Sequence, residues 1–179
     1  MDTHLNGRYA LLTLLFLFGL GPASGLAADA SYRLGPGDQI SIQVYDEADL
    51  SLTLRIDESG VFNYPYLGVI RASGQSVATL EKQITDGLLQ DILVNPSVNV
   101  SITSYRNFYI GGEIKSPGGY PYRPGLTVQQ AITVGGGPTD YASKTKFLIL
   151  REGRTDPQPA TATTQVRPGD TITVLEGLF

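Results

Sequence analysis

The stretch Leu34-Gly35-Pro36-Gly37-Asp38-Gln39-Ile40-Ser41-Ile42-Gln43-Val44 constrains this chain more than any other. Pro36 presets φ for one turn position and Gly37 accepts the positive φ of the next, so a tight turn is expected. Asp38 follows, placed to accept hydrogen bonds from nearby backbone N–H groups. Ile40, Ile42 and Val44 then alternate with Gln39, Ser41 and Gln43, the period of a strand with one buried face. The design returns near the end as Val166-Arg167-Pro168-Gly169-Asp170-Thr171-Ile172-Thr173-Val174, again with Ile two places after Asp. A looser Pro-Gly stands at Pro124-Gly125-Leu126-Thr127-Val128. The three read as turn-plus-strand units on one plan. Pro36, Gly37, Asp38, Pro168, Gly169 and Asp170 are accordingly structural positions, with both carboxylates read as turn formers rather than reactive groups.

A chain of 179 residues holds one domain or two small ones. Its 21 Gly and 11 Pro suit many short strands joined by turns rather than a helical bundle. A formal charge of −4 and a pI near 4.9 argue against nucleic-acid binding. The chain has no cysteine, which removes disulfides, thiol chemistry and lipidation on cysteine.

Residues 1–30 read as a secretory signal. Arg8 precedes the apolar run Tyr9 to Leu20, which is too short to cross a bilayer comfortably. Gly21-Pro22 ends it, and small residues follow; cleavage after Ala27 or after Ala30 fits the small-x-small rule. The alternative is an uncleaved anchor. Beyond the first turn unit, Leu52, Leu54 and Ile56 alternate with polar neighbours, Asp57 to Gly60 is a turn cluster, and Val61 to Tyr64 returns. A hairpin between these two strands is expected. Pro65 marks an edge or bend, and Tyr66 to Ile70 is a further short run. Ser76 is placed as a helix N-cap, and Val77, Leu80, Ile84 and Leu88 form one helical face. Asn95-Pro96 ends that segment, and Val98, Val100 and Ile102 alternate as another strand. Residues 32 to about 104 thus make a small α+β unit with one covering helix.

The second unit starts near Tyr105. Phe108 to Ile110 is a short strand, and Thr127 can cap a short helix carrying Val128, Ala131 and Ile132. Gly135, Gly136 and Gly137 stop it. They follow a helix, whereas a phosphate cradle precedes one, and they lack the Lys-Ser/Thr ending of a P-loop. Lys146 to Arg151 is nearly all apolar and reads as a central strand. Asp156 to Thr164 reads as a polar, mobile loop.

Catalytic and metal chemistry find little material. The single histidine is His4, inside the signal. Asp46, Glu47 and Asp49 do not follow EF-hand spacing. Asp38, Asp57, Glu58, Glu113 and Asp140 show no pairing that would mark a glycosidase. No enzyme, metal or cofactor is expected. Among the ten tyrosines, Tyr64, Tyr66, Tyr120 and Tyr122 are candidate glycan contacts, since a flat apolar face with a hydroxyl suits a sugar ring. The competing reading is half-buried strand residues with hydroxyls in water.

With both halves read, a resemblance emerges. Tyr32-Arg33-Leu34-Gly35-Pro36-Gly37-Asp38-Gln39-Ile40, Ile56-Asp57-Glu58-Ser59-Gly60, Leu67-Gly68, Gly74, Leu80-Glu81 and Asn95-Pro96-Ser97-Val98-Asn99-Val100 resemble the polysaccharide export domain of outer-membrane polysaccharide export proteins. Gly111-Gly112-Glu113-Ile114, Pro117-Gly118-Gly119-Tyr120, Thr127-Val128-Gln129-Gln130-Ala131-Ile132 and Gly135-Gly136-Gly137 resemble the soluble-ligand-binding β-grasp (SLBB) domain that follows it. The resemblance implies an α+β fold with an export domain at 31–104 and an SLBB domain at 105–179. It implies a homo-oligomeric ring in the periplasm carrying capsular polysaccharide or exopolysaccharide from an inner-membrane polysaccharide co-polymerase to the surface, without enzymatic activity or cofactor. The best-known members of the family carry a lipid on an N-terminal cysteine and a long C-terminal amphipathic helix; this sequence is expected to match neither feature and to hold one β-grasp copy. The expectation is a periplasmic ring or adaptor, at the inner face of the outer membrane, docking beneath a separate outer-membrane β-barrel. The rival classes are a soluble periplasmic glycan- or small-ligand-binding protein and a glycan-modifying hydrolase.

Overall fold

The computed structural model describes residues 32–177, so the signal expected over 1–30 lies outside the described residues. Two hydrophobic cores occur, one drawn from Leu34 to Val100 and one from Phe108 to Val174. The content is α+β.

The first core is organised by β1 (Gln39–Val44), with Ile40, Ile42 and Val44 buried. It pairs antiparallel on one side with β2 (Leu52–Arg55) and on the other with β5 (Val98–Ser104). The antiparallel hairpin β3 (Val61–Tyr64) and β4 (Gly68–Arg71) forms a separate two-stranded piece. Helix α1 (Val77–Asp91) starts where expected: the Ser76 hydroxyl accepts from the Thr79 N–H at 3.1 Å. Leu80, Ile84 and Leu88 are fully buried, each removing apolar surface worth about 1.5–3 kcal/mol. Glu81 then accepts from the Val100 N–H at 3.0 Å, so the helix also occupies part of the free edge of β5.

The strands at 52–55 and 61–64 do not form the expected hairpin. Leu52 to Arg55 folds back on β1 through the 3-10 turn Ala48–Leu50, where the Ser51 hydroxyl accepts from Val44 N–H at 2.9 Å. The Asp57–Gly60 turn instead sends the chain to another layer, with Gly60 C=O accepting from both Ala72 and Ser73. Alternation assigns a strand its buried face but not its partner. Pro65 lies in the turn of the β3–β4 hairpin.

The second core is a five-stranded sheet ordered β7-β6-β10-β8-β9. Its strands are β6 (Phe108–Gly112), β7 (Gly118–Tyr120), β8 (Ala142–Leu150), β9 (Gln158–Ala160) and β10 (Thr171–Glu176). The β6–β10 pairing is parallel and the others antiparallel. Helix α2 (Val128–Val134) packs Val128, Ala131 and Ile132 into the core beneath a Thr127–Gln130 capping box. This corrects the third turn-plus-strand unit: Pro124-Gly125 leads into a helix, because Val128, Ala131 and Ile132 recur at a helical rather than a strand period. The mobile loop expected at 156–164 contains β9, paired with β8 through Phe147↔Ala160 and Ile149↔Gln158. Strand β8 is internal as expected, while β10 occupies the middle. At the end of α2 the glycine run makes a helix stop and a tether: Gly137 C=O accepts from Lys115 N–H, and Gly135 C=O from Ser116 N–H.

Candidate functional site

The two turn units repeat in three dimensions. In each, the Asp N–H donates to a carbonyl three residues back (Gly35 or Arg167), and the Asp carboxylate accepts from that same residue's N–H, at 2.9 Å for Asp38 and 2.7 Å for Asp170. In each, the Gly N–H and the Asp C=O reach across to a neighbouring strand end: Ile56 for Gly37 and Asp38, and Asn107 and Tyr109 for Gly169 and Asp170. Gly37 and Gly169 sit at φ of 93° and 83°, which a side chain would strain.

The carboxylates are more than turn formers. Asp38 is 0% exposed and Asp170 1%. A buried carboxylate is tolerated only when paired and hydrogen-bonded. Asp38 accepts from the Tyr32 hydroxyl at 2.7 Å, the Arg106 N–H at 2.8 Å and the Arg106 guanidinium at 2.8 Å. Asp170 pairs with Arg151 at 2.9 Å. Burial pushes the Asp170 carboxyl above its ordinary range, against the opposing pull of the Arg167 N–H and the Arg151 charge. Burial and the hydrogen bond to Asp38 push the Tyr32 phenol far up, so it remains a donor at any ordinary pH. Burial would lower the Arg106 guanidinium, but Tyr32, Asp38 and Glu152 together raise it.

Arg106 joins the two cores. Its guanidinium reaches Asp38 and Tyr32 on one side and Glu152 on the other, with Nε at 2.9 Å from Glu152 Oε2. Its charge also lies 5.5 Å from the Tyr32 ring centre. Beside it, Tyr32, Tyr105 and Tyr122 form an edge-to-face row with ring centres 5.2 and 5.4 Å apart. These groups line a cleft of about 1050 Å³ between the two cores. Arg33, Arg151, Arg154 and Arg167 also stand on its walls, beside Glu152 and Asp170.

The four tyrosines singled out from sequence do not converge. Tyr64 is 1% exposed and its hydroxyl donates to Leu50 C=O at 2.7 Å, so its ring belongs to the core and is closed to a glycan. Tyr66, 79% exposed at a φ of 63°, lies in the β3–β4 turn. Tyr120 packs on Phe108 and donates to Ser116 C=O. Only Tyr122 reaches the cleft, together with Tyr32 and Tyr105, which sequence reasoning passed over. Pro36, Pro168 and Asp170 border the cleft, whereas Gly135, Gly136 and Gly137 lie away from it. The missed Arg106 and Glu152 stand alone in the sequence. The one available signal was a demand: a buried Asp after each Pro-Gly requires a cation from elsewhere. Among the described residues, no group of three or more His, Cys, Asp and Glu could hold a metal ion, and no helix is long and apolar enough to cross a membrane.

The fold is thus a turn-led three-stranded sheet covered by a helix, followed by a β-grasp-like five-stranded sheet with a second helix. Two family models match in that order: polysaccharide biosynthesis/export protein at residues 26–103 and SLBB domain at 107–158. The chain belongs to the polysaccharide biosynthesis/export family. It is similar to the exopolysaccharide production protein ExoF of Rhizobium meliloti, 32% identical over 142 residues, covering 73% of this chain and 33% of the relative. It is also similar to the EPS I polysaccharide export outer membrane protein EpsA of Ralstonia nicotianae, 25% identical over 72% of this chain and 41% of that protein. A third relative is the polysialic acid transport protein KpsD of Escherichia coli, 24% identical over 77% of this chain and 27% of that protein. The matches thus span between about a quarter and two fifths of these relatives' own lengths.

Proposed function

We propose that this protein is a component of a capsular polysaccharide or exopolysaccharide export machine, working in the periplasm at the inner face of the outer membrane. The ordered pair of family matches carries this reading. The names of the relatives, which speak of exopolysaccharide production, polysaccharide export and polysialic acid transport, point the same way. The proposed form is a ring of identical subunits, fed by an inner-membrane polysaccharide co-polymerase and delivering to a separate outer-membrane β-barrel. Edge strands β2, β7 and β9 leave backbone groups open on one side, and Tyr66 and Val69 on the β3–β4 hairpin are exposed; both are means of subunit contact. The polar positions Gln39, Ser41, Gln43, Thr171 and Thr173 would suit a hydrated polymer's path. The reading includes no catalytic step and no cofactor.

Two experiments test it. A strain lacking the protein should lose most of its surface glycan; normal surface glycan, with no paralogue present, would sink the reading. Particle mass and imaging, with and without detergent and co-polymerase, should show a ring. The cleft favours one alternative, a monomeric periplasmic glycan-binding protein. A strict monomer holding a short glycan tightly would select it. Shortening of purified polysaccharide on incubation would point to a hydrolase instead.

A further inference from the structure

We infer that the cleft between the two cores is a binding site for a carboxylate-bearing segment of a glycan chain, with Arg33 and Arg154 as its recognition charges. The glycan part rests on the export reading above; the acidic part comes from the cleft itself.

The chain is acidic overall, with a formal charge of −4, yet five of its 13 basic residues line this one space. Two carboxylates, Glu152 and Asp170, line it with them. The arginines divide by what they already hold. Arg106 is committed to Asp38 and Glu152, and Arg151 to Asp170. Arg167 lies close enough to Asp170 to pull its pKa down. Arg33 and Arg154 are exposed and have no ion pair among the described residues. An arginine presents a planar fork of donors that fits a carboxylate through two parallel hydrogen bonds. One free fork precedes the first turn unit and the other follows β8, so they come from opposite walls. Val77, the first residue of α1, also borders the space, adding the positive end of a 15-residue helix.

The rest of the lining argues for a sugar rather than a small inorganic anion. Tyr32, Tyr105 and Tyr122 form a continuous aromatic wall, and the rings of Pro36, Pro124 and Pro168 add flat apolar patches. Aromatic rings with a polar edge suit pyranose faces, which are apolar across and hydroxylated around. The volume, about 1050 Å³, matches the upper end of the ~300–1,000 Å³ range of small-molecule sites and exceeds what a lone phosphate fills. The hydrogen bonds of Arg106 to Asp38 and Tyr32 on one side and to Glu152 on the other hold both walls before a ligand arrives, which limits the entropy lost on binding.

Calorimetric titration of the purified chain tests this. Hexagalacturonate should bind at least about tenfold more tightly than maltohexaose, and the advantage should shrink as salt is added. The exposed double variant Arg33→Gln/Arg154→Gln should weaken hexagalacturonate binding by about tenfold with an unchanged unfolding midpoint. Lys144→Gln, away from the cleft, should leave binding alone. The inference is overturned if hexagalacturonate does not bind, if maltohexaose binds equally, or if the double variant binds as the parent does. It is equally overturned if inorganic phosphate or phosphatidylglycerol vesicles compete as well as the glycan, since the site would then read negative charge alone. The two readings fail separately. Absent binding together with lost surface glycan in the deletion strain removes the cleft assignment only; a deletion strain with normal surface glycan removes the export reading whatever the titration shows.

Discussion

In the first turn unit the carboxylate of Asp38 holds an arginine 68 positions along the chain; in the second, Asp170 holds one 19 positions away. The local hydrogen bonds of the two turns are the same, down to the N–H three residues back. The difference is reach. Asp170 and Arg151 lie at the adjacent ends of paired strands β10 and β8, so their ion pair is internal to one sheet. Asp38 meets Arg106, which continues to Glu152 in the other unit. One copy of the motif closes a sheet end, and the other fastens two cores together. A duplicated turn therefore does not imply duplicated work: the partner of a buried charge decides its role.

The largest expected effect separates the two aspartates. Asp38→Ala leaves Arg106 and the Tyr32 hydroxyl without their buried acceptor and should cost about 3–5 kcal/mol in denaturant unfolding. Asp170→Ala removes one ion pair and the Arg167 N–H contact. It should cost less, about 1–3 kcal/mol, because Arg151 still donates to Gln165 C=O and is partly solvated. Equal costs would break the distinction between a fastener and a sheet closure.

Asp170→Asn sharpens it. A carboxyl whose folded pKa is raised binds its proton more tightly in the folded state, so its contribution to stability falls as pH rises from the unfolded value of about 3.8 through the folded one. The parent should lose stability across that window relative to Asp170→Asn. Unfolding measured from pH about 3 to about 7 checks this; a difference of opposite sign would mean that Arg151 outweighs burial.

The glycines and caps should give smaller changes. Gly37→Ala must place a side chain at a φ of 93°, which costs about 1–2 kcal/mol. Ser76→Ala removes the N-cap of α1 at about 1 kcal/mol. Thermal unfolding with calorimetry reads both; a Cβ at position 37 would meet the Arg106 Cβ at 3.1 Å, so only Ser76→Ala should leave the Arg106 link between the two units untouched.

Much of the fold was legible because it depends on local rules. Ser76 and Thr127 announced their helices by cap chemistry, and Leu80, Ile84 and Leu88 by their spacing. The strand at 39–44 followed from alternation. What failed was partnership: Leu52 to Arg55 pairs with β1 rather than with Val61 to Tyr64, and Gln158 to Ala160 joins the edge of a sheet despite Pro157 before it and Pro159 within it. For the cleft the sequence was nearly silent. Tyr105, Arg106 and Glu152 belong to no motif, Tyr32 enters only as the first residue of the export-domain resemblance, and Tyr64, chosen for its chemistry, is buried.

By itself the sequence determined the turns, the helices, the strand faces and the family, since each depends on neighbours a few residues apart. Only the tertiary structure decided which arginine neutralises which aspartate, and that a cationic, tyrosine-walled cleft opens between the two cores. The physical reason is that backbone geometry acts over a few residues, whereas a buried charge must be met by whatever countercharge the folded chain brings within about 3 Å.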